Sequence, residues 1–194
     1  MYRLYLVGDK KYSFEKTCEA LSEDVEYFQL RLKDVSDEEF LKEAKRYKDI
    51  CQKRDIKFII NDNLDIAIKV KADGLHIGQD DLSLQEVKKR FSGIVGVSCR
   101  TLDEAQEAKK DGADYIGVGA VFKTTTKEGA KIIGLDALKL IVQKVDIKVV
   151  AIGGIDEKNF RLVYEVGADM LAVSSAVLGA KDPKEILKTL RSKT

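Results

Sequence analysis

The stretch KADGLHIGQDD, residues 71–81, contains a helix end, a short apolar run and an abrupt acidic end. Its first part, Ala72-Asp73-Gly74, has two counterparts further along the chain, Gly112-Ala113-Asp114 and Gly167-Ala168-Asp169, and an apolar run follows each of them. The same helix-to-strand joint at three places indicates that the chain is built from repeated βα units.

The alternation of short apolar runs with amphipathic segments extends this pattern from end to end. Strands are predicted at 3–7, 27–32, 57–61, 74–78, 94–98, 115–120, 148–153 and 170–174. These runs are rich in Val, Ile and Leu, as is typical of buried parallel strands. Helices are predicted near 14–22, 64–70, 83–91, 135–144 and 156–166, and after the capping residues Ser36, Thr101 and Asp182.

Eight strands that alternate with eight helices favour a closed (β/α)₈ TIM barrel, an α/β fold, over residues 1–194 as a single domain. Barrels of this type typically have ~250 residues, so a chain of 194 residues must have short loops. An open, doubly wound parallel sheet is the alternative.

Composition excludes several classes of function. The net charge is +1, with charged residues making up 35% of the chain, so no electrostatic reason exists to expect nucleic acid or a membrane as partner. One histidine and three separated cysteines argue against a multi-histidine metal site, a disulfide framework and a His-dependent nucleophilic triad. We expect a cytoplasmic protein that acts on small molecules; the oligomeric state stays open, a homo-oligomer included.

Acidic and amide side chains follow two neighbouring predicted strands. Asn61 and Asp62 end the third strand, and Asp80 and Asp81 follow the fourth. The carboxyl ends of barrel strands share one rim, where active sites lie. Hard oxygen ligands without thiolates favour Mg²⁺, which usually takes one or two carboxylates together with phosphate oxygens. Turn chemistry is the alternative for each pair, and one of the two adjacent aspartates is expected to be a loop or cap residue.

The second predicted strand carries polar side chains on one face. In FQLRLKD, residues 28–34, an apolar set alternates with Gln29, Arg31 and Lys33. In a barrel the apolar set would pack against the helices, and the polar set would lie in or above the lumen. Buried cations need an anionic partner, which indicates a phosphate or diphosphate ligand. The alternative is an edge strand with one solvated face.

The remaining strand ends carry weaker signals for phosphate. Ser98 ends the fifth strand, and a polar loop with three threonines, 121–134, follows the sixth. The segments AIGGI (151–155) and AVSSA (172–176) end the last two strands, where barrels frequently bind phosphate through backbone N–H groups. A turn residue and a surface loop are the alternatives for Ser98 and for 121–134. His76, inside the fourth strand, is interpreted as a structural histidine.

Taken in order, QLRLK, IINDN, ADGLHIGQDD, GVSCR, FKTTTK, AIGGI and GADMLAVSSA resemble the thiamine-phosphate synthase family over nearly the whole chain. The resemblance implies a (β/α)₈ barrel, Mg²⁺ as cofactor, and a transferase reaction. In that reaction 4-amino-5-hydroxymethyl-2-methylpyrimidine diphosphate joins a thiazole phosphate, or its carboxylated form, by dissociative substitution with release of pyrophosphate.

The resemblance also implies roles for residues, position by position. Those implied to contact the pyrimidine diphosphate are Gln29, Arg31, Lys33, Asn61, Ser98 and Lys127. Of these, Arg31, Lys33, Ser98 and Lys127 are implied to be catalytic. The implied Mg²⁺ ligands are Asp62 and Asp81, which leaves Asp80 as a bystander. Residues implied to hold the thiazole phosphate are Thr124, Thr125, Thr126, Gly154, Ser174 and Ser175.

The sequence departs from the family pattern at two positions. Arg100 stands where the family usually has His, and Lys123 stands where Pro is common. Both departures add charge and remove no implied ligand. A thiazole tautomerase on the same barrel is the first rival, but it has no diphosphate that would require Arg31, Lys33 and two metal carboxylates. A non-catalytic phosphate sensor is the second rival.

Overall fold

The computed structural model describes residues 3–124, 126 and 129–192. Eight parallel strands pair in sequence order and close into a barrel, as predicted. The strands are β1 Arg3–Asp9, β2 Val25–Arg31, β3 Lys57–Asn61, β4 Gly74–Ile77, β5 Ile94–Cys99, β6 Tyr115–Val118, β7 Val149–Ile152 and β8 Met170–Val173. The pairing of β1 with β8 closes the barrel and excludes the open doubly wound sheet.

Helices follow the strands and cover the outside of the barrel. They are α1 Phe14–Ala20, α2 Asp37–Lys53, α3 Leu64–Lys69, α4 Leu84–Arg90, α5 Leu102–Lys110, α6 Gly134–Lys144, α7 Phe160–Glu165, α8 Ser175–Leu178 and α9 Pro183–Arg191. The one-turn helix α8 was not among the predicted helices. Among the described residues, none of the helices combines the length and the apolar character that crossing a membrane requires.

The alternation of side chains along each strand divides the interior into two apolar clusters. Phe28 and Leu30 of β2 point outward into the large cluster between barrel and helices. Tyr27 of the same strand points into the lumen, where it packs with Tyr5 and Tyr115. The predicted inward orientation of Gln29 and Arg31 follows from the same period of two.

The three repeated joints each form a pair of hydrogen bonds at the amino-terminal rim. The carboxylates of Asp73, Asp114 and Asp169 accept the backbone N–H of Phe58, Val95 and Val149 at 2.9, 2.8 and 2.8 Å. The backbone N–H of each aspartate donates in return to the carbonyl of the same partner residue. Each joint thus fixes the start of one strand against its neighbour. In TIM barrels this rim serves stability, and the opposite rim carries the active site.

Candidate active site

A cavity of about 420 Å³ opens at the carboxyl ends of the strands. Every predicted site residue that the structure describes lines it. These residues are Gln29, Arg31, Lys33, Asn61, Asp62, Asp81, Ser98, Thr124, Thr126, Gly154, Ser174 and Ser175. The predictions for Thr125 and Lys127 lie outside the described residues. The β-strand ends therefore bring together side chains that are up to 146 positions apart, from Gln29 to Ser175.

Two ion pairs hold Arg31, the last residue of β2, and Lys33, just beyond it, at the rim. The Arg31 guanidinium lies 3.3 Å from the Asp9 carboxylate at the end of β1, and both side chains are largely buried. Lys33 contacts the Asp62 carboxylate at the end of β3. Each cation is therefore held from a neighbouring strand. Because charge-assisted hydrogen bonds are directional, these pairs orient the remaining N–H donors of Arg31 and Lys33 toward the cavity that they line.

The carboxylates of Asp62 and Asp81 lie next to each other. Burial raises the pKa of Asp81, and the neighbouring Asp62 carboxylate raises it further. Asp62 has a left-handed backbone with φ 61°, which non-glycine residues adopt at some cost, and its N–H donates to the His76 carbonyl at 2.8 Å. The Gly78 N–H donates to Asp81 at 2.7 Å. The backbone thus brings two carboxylates together beside the Lys33 ammonium, and a divalent cation would neutralise the remaining negative charge.

The donor set fits a divalent cation that shares its coordination with a substrate. Within residues 3–124, 126 and 129–192, no group of three or more His, Cys, Asp or Glu side chains is placed to hold a metal ion. Mg²⁺ is commonly bound by one or two carboxylates plus phosphate oxygens and water, so Asp62 and Asp81 are sufficient only with a phosphorylated ligand. Asp80 and Asp81 both line the cavity and both are exposed, but Asp81 is the one that lies against the Asp62 carboxylate and accepts the Gly78 N–H.

A continuous set of hydrogen bonds crosses the barrel below this rim, and we call it the lumen network. The Gln29 amide nitrogen donates to the Tyr5 hydroxyl at 2.8 Å, and the Tyr5 and Tyr115 hydroxyls share a bond of 2.8 Å. The Tyr115 hydroxyl lies 2.9 Å from His76 Nδ1, and His76 Nε2 lies 2.9 Å from Ser98 Oγ. His76 is structural, as interpreted, but it also contacts a predicted substrate-binding residue.

The opposite side of the cavity is formed by the ends of β6, β7 and β8. Gly153 and Gly154 both have positive φ, 102° and 65°. The Gly153 carbonyl accepts the Phe122 N–H at 3.0 Å, so the end of β7 runs directly beside the segment after β6. A Cβ on Gly154 would collide with the Lys123 carbonyl oxygen. The lack of a side chain at Gly154 thus first allows close packing against another part of the chain.

Two hydroxyls on this side have distinct environments. The Thr124 hydroxyl accepts the Thr126 N–H at 3.2 Å and stabilises the start of the loop. The buried hydroxyl of Ser174 has no hydrogen-bond partner in the part of the chain that is described. Buried polar atoms are generally satisfied, so an orphan hydroxyl on a cavity wall indicates a ligand that would accept from it or donate to it.

Sequence reasoning missed Asp9, Tyr5 and Tyr115. Asp9 carries the same signal as the acids on β3 and β4, because it ends the apolar run of β1 directly. That signal could have found it. Tyr5 and Tyr115 lie inside apolar runs and are fully buried, so nothing in the sequence distinguishes them from ordinary core tyrosines.

The fold and the cavity together define a class of protein. A closed barrel with cations, paired carboxylates and glycine-rich strand ends on its carboxyl-terminal rim is typical of TIM-barrel enzymes that act on phosphorylated small molecules. A family model described as thiamine monophosphate synthase matches residues 4–177. The chain belongs to this thiamine-phosphate synthase family.

Individual relatives agree with this assignment. A thiamine-phosphate synthase of Alkaliphilus oremlandii is 44% identical, and the match covers 98% of this chain and 95% of the relative. The solved structure of a thiamine phosphate pyrophosphorylase from Pyrococcus furiosus superposes with a TM-score of 0.91 at 38% identity, covering 97% of this chain and 93% of that one. A 3-hexulose-6-phosphate synthase shares the fold alone, with a TM-score of 0.72 at 18% identity over 98% of both chains.

Proposed function

We propose that the protein is a thiamine-phosphate synthase that joins 4-amino-5-hydroxymethyl-2-methylpyrimidine diphosphate to a thiazole phosphate and releases pyrophosphate. The observation that carries the proposal is that the cations Arg31 and Lys33 line the same cavity as the adjacent carboxylates of Asp62 and Asp81. A tautomerase would have no diphosphate for this set to bind, so the isomerase alternative is not favoured.

The pyrimidine diphosphate binds on the β2–β5 side. Gln29 and Asn61 are 5% and 8% exposed, so they contact the ring from within the lumen. Arg31 and Lys33 contact the diphosphate from the rim, and the Ser98 hydroxyl donates a hydrogen bond to a diphosphate oxygen. Lys127, from the loop after β6, completes the cationic set in this proposal.

Mg²⁺ is the proposed cofactor, and Asp62 and Asp81 would hold it. The closeness of their carboxylates and the absence of a third ligand in the described residues both fit an ion that takes its other ligands from the diphosphate and water. When bound, the ion neutralises charge on the diphosphate and makes pyrophosphate a better leaving group.

The thiazole phosphate binds on the β6–β8 side. Ser174 offers a buried hydroxyl that has no hydrogen-bond partner among the described residues, and the turn at Gly153 and Gly154 presents backbone at the same wall. Ser175 and the segment Thr124–Thr126 lie beside them and complete the phosphate site in this proposal. The two substrates then approach each other across the cavity, which places the thiazole nitrogen next to the pyrimidine methylene.

The reaction needs stabilised leaving-group charge and does not need a nucleophilic side chain. The bond from the pyrimidine methylene to the diphosphate oxygen breaks, and its electron pair leaves with pyrophosphate. Arg31, Lys33 and Lys127 bind the charge that develops on pyrophosphate. The thiazole nitrogen then supplies the electron pair of the new bond to the cationic methylene. None of the three thiols lines the cavity, and both His76 nitrogens are hydrogen-bonded.

The test is direct synthesis from purified components. The protein is incubated with both substrates and Mg²⁺, and thiamine phosphate and pyrophosphate are quantified, with a parallel sample in which EDTA replaces Mg²⁺. Equimolar amounts of the two products, dependent on Mg²⁺, are expected. Binding of the thiazole phosphate without any product would favour a sensor and contradict the proposal.

A further inference from the structure

The lumen network connects residues that the proposed function places at opposite ends of one substrate. Gln29 contacts the pyrimidine ring, and Ser98 contacts the diphosphate. Between them lie Tyr5, Tyr115 and His76, which have no role in the bond-breaking and bond-forming steps of the proposed reaction. Their hydrogen bonds of 2.8–2.9 Å are continuous from one substrate contact to the other.

The barrel interior is shaped around this network. A Cβ on Gly96 would overlap the Tyr115 ring, and a Cβ on Gly117 would lie 2.9 Å from Cε1 of His76. The His76 ring stacks on Tyr115 with centroids 5.5 Å apart, and Tyr5 meets Tyr115 edge to face at 5.9 Å. Because the rings are fixed by close packing, a broken link cannot be replaced by rotation of a side chain.

With one proton on the His76 imidazole, proton counting leaves the network two arrangements of donors and acceptors, which we call hydrogen-bond orders. Burial raises the pKa of both Tyr5 and Tyr115, so each phenol keeps its single proton. In the first order Gln29 donates to Tyr5, Tyr5 to Tyr115, Tyr115 to His76 Nδ1, and His76 Nε2 to Ser98. The Ser98 proton is then left for a ligand. In the second order every bond is reversed, and the Ser98 proton is used inside the network.

The two orders present different groups of Gln29 to the network. In the first order the amide nitrogen faces Tyr5, which is the arrangement in the structure. The amide oxygen is then left for a ligand that donates. In the second order the oxygen must face Tyr5 to accept its proton, and the amide nitrogen is left instead. Which atom of the Gln29 amide faces Tyr5 therefore depends on whether the Ser98 hydroxyl donates to a ligand or to His76.

We propose that the lumen network couples diphosphate binding at Ser98 to recognition of the pyrimidine amino group at Gln29. An anion that accepts the Ser98 proton selects the first order, and this order leaves the Gln29 oxygen free to accept from the 4-amino group. Tyr5, Tyr115 and His76 are positioning residues in this scheme. The inference rests on the proposed function for the identity of the two ligands.

The test measures the coupling directly. Calorimetry gives the Kd of the pyrimidine alcohol, which lacks the diphosphate, with and without saturating pyrophosphate and Mg²⁺. In the unmodified protein pyrophosphate should tighten alcohol binding by about fivefold or more. Tyr115→Phe removes two consecutive links, to Tyr5 and to His76, and should abolish this tightening. The matched control is Tyr27→Phe, which removes a hydroxyl from the same aromatic cluster without touching the network and should keep the coupling.

Steady-state kinetics provide a second readout. In Tyr115→Phe the KM for the pyrimidine diphosphate should rise about tenfold, because one buried hydrogen bond of its recognition is lost. The KM for the thiazole phosphate should not change. A general loss of structure would move both constants. If Tyr115→Phe does not fold, Tyr5→Phe removes the links from Tyr5 to Gln29 and to Tyr115 and serves the same purpose.

The outcomes separate this inference from the proposed function. If the unmodified protein forms thiamine phosphate but the two Phe variants of the network keep full coupling, the coupling scheme is wrong and the proposed function stands. Equal loss of coupling in Tyr27→Phe would also overturn the scheme. If no thiamine phosphate is formed by the unmodified protein, the proposed function itself fails.

Discussion

Replacing Gly154 by Ala perturbs the wall on which the thiazole phosphate is proposed to bind. Gly154 has φ 65°, and an L-residue in this conformation costs roughly 1–2 kcal/mol. The new Cβ would also collide with the Lys123 carbonyl oxygen and lie 2.9 Å from Cβ of Phe122. Overpacking of this kind costs roughly 1–3 kcal/mol more. The total loss of unfolding free energy is therefore about 2–5 kcal/mol.

The chain offers a matched control for this substitution. Gly134 has φ 79°, but a Cβ there would meet no atom within 4 Å. Gly134→Ala should therefore lose only the conformational contribution of roughly 1–2 kcal/mol. For a chain of this size each kcal/mol lowers Tm by about 2–4 °C, so the two variants should differ clearly in thermal denaturation.

Steady-state kinetics of Gly154→Ala test the effect of the same collision on substrate binding. Relief of the collision must move the segment that carries Lys123 and Thr124, so the KM for the thiazole phosphate should rise about tenfold or more in Gly154→Ala. The KM for the pyrimidine diphosphate should change less, because Lys127 is the only one of its proposed contacts that belongs to the loop after β6. Equal Tm losses for the two glycine variants, or an unchanged KM for the thiazole phosphate, would refute the argument.

Three further predictions test separate parts of the molecule. Asp62→Ala or Asp81→Ala should lower kcat by about 100-fold or more at saturating substrate while Tm is kept, and Asp80→Ala, the control, should leave turnover unchanged. Asp9→Asn removes the partner of the β2 arginine and should lower kcat/KM for the pyrimidine diphosphate roughly tenfold, visible in initial rates. Asp169→Ala leaves a strand N–H without its acceptor, so thermal denaturation should show a loss of about 1–3 kcal/mol with normal specific activity.

The barrel was predictable because its signals are local and repeated. The joint at Asp73, Asp114 and Asp169 recurs because the same two hydrogen bonds fix the starts of β4, β6 and β8 against the preceding strands. Helix starts were predictable for the same reason, since the Thr101 hydroxyl and the Glu104 carboxylate close their capping box within four residues. The short helix α8 was missed because one turn carries no periodicity.

The site was predictable where polar residues interrupt apolar strands. Arg31, Asp62 and Ser98 were found because a polar side chain at the carboxyl end of a parallel strand is costly without a ligand or partner. Asp9 carried the same signal. The thiazole side was less accessible to this reasoning, because the glycines at 153 and 154 first serve the packing of β7 against the segment after β6.

By itself the sequence determined the order of elements, the direction of each strand's side chains and the rim on which the chemistry lies, because these depend on periods of two and 3.6 and on short-range joints. Only the tertiary structure decided which residues face one another across the lumen. Tyr5 and Tyr115 are 110 positions apart and share a buried hydrogen bond of 2.8 Å because barrel closure brings β1 and β6 to opposite walls of one narrow interior. No local pattern encodes that distance.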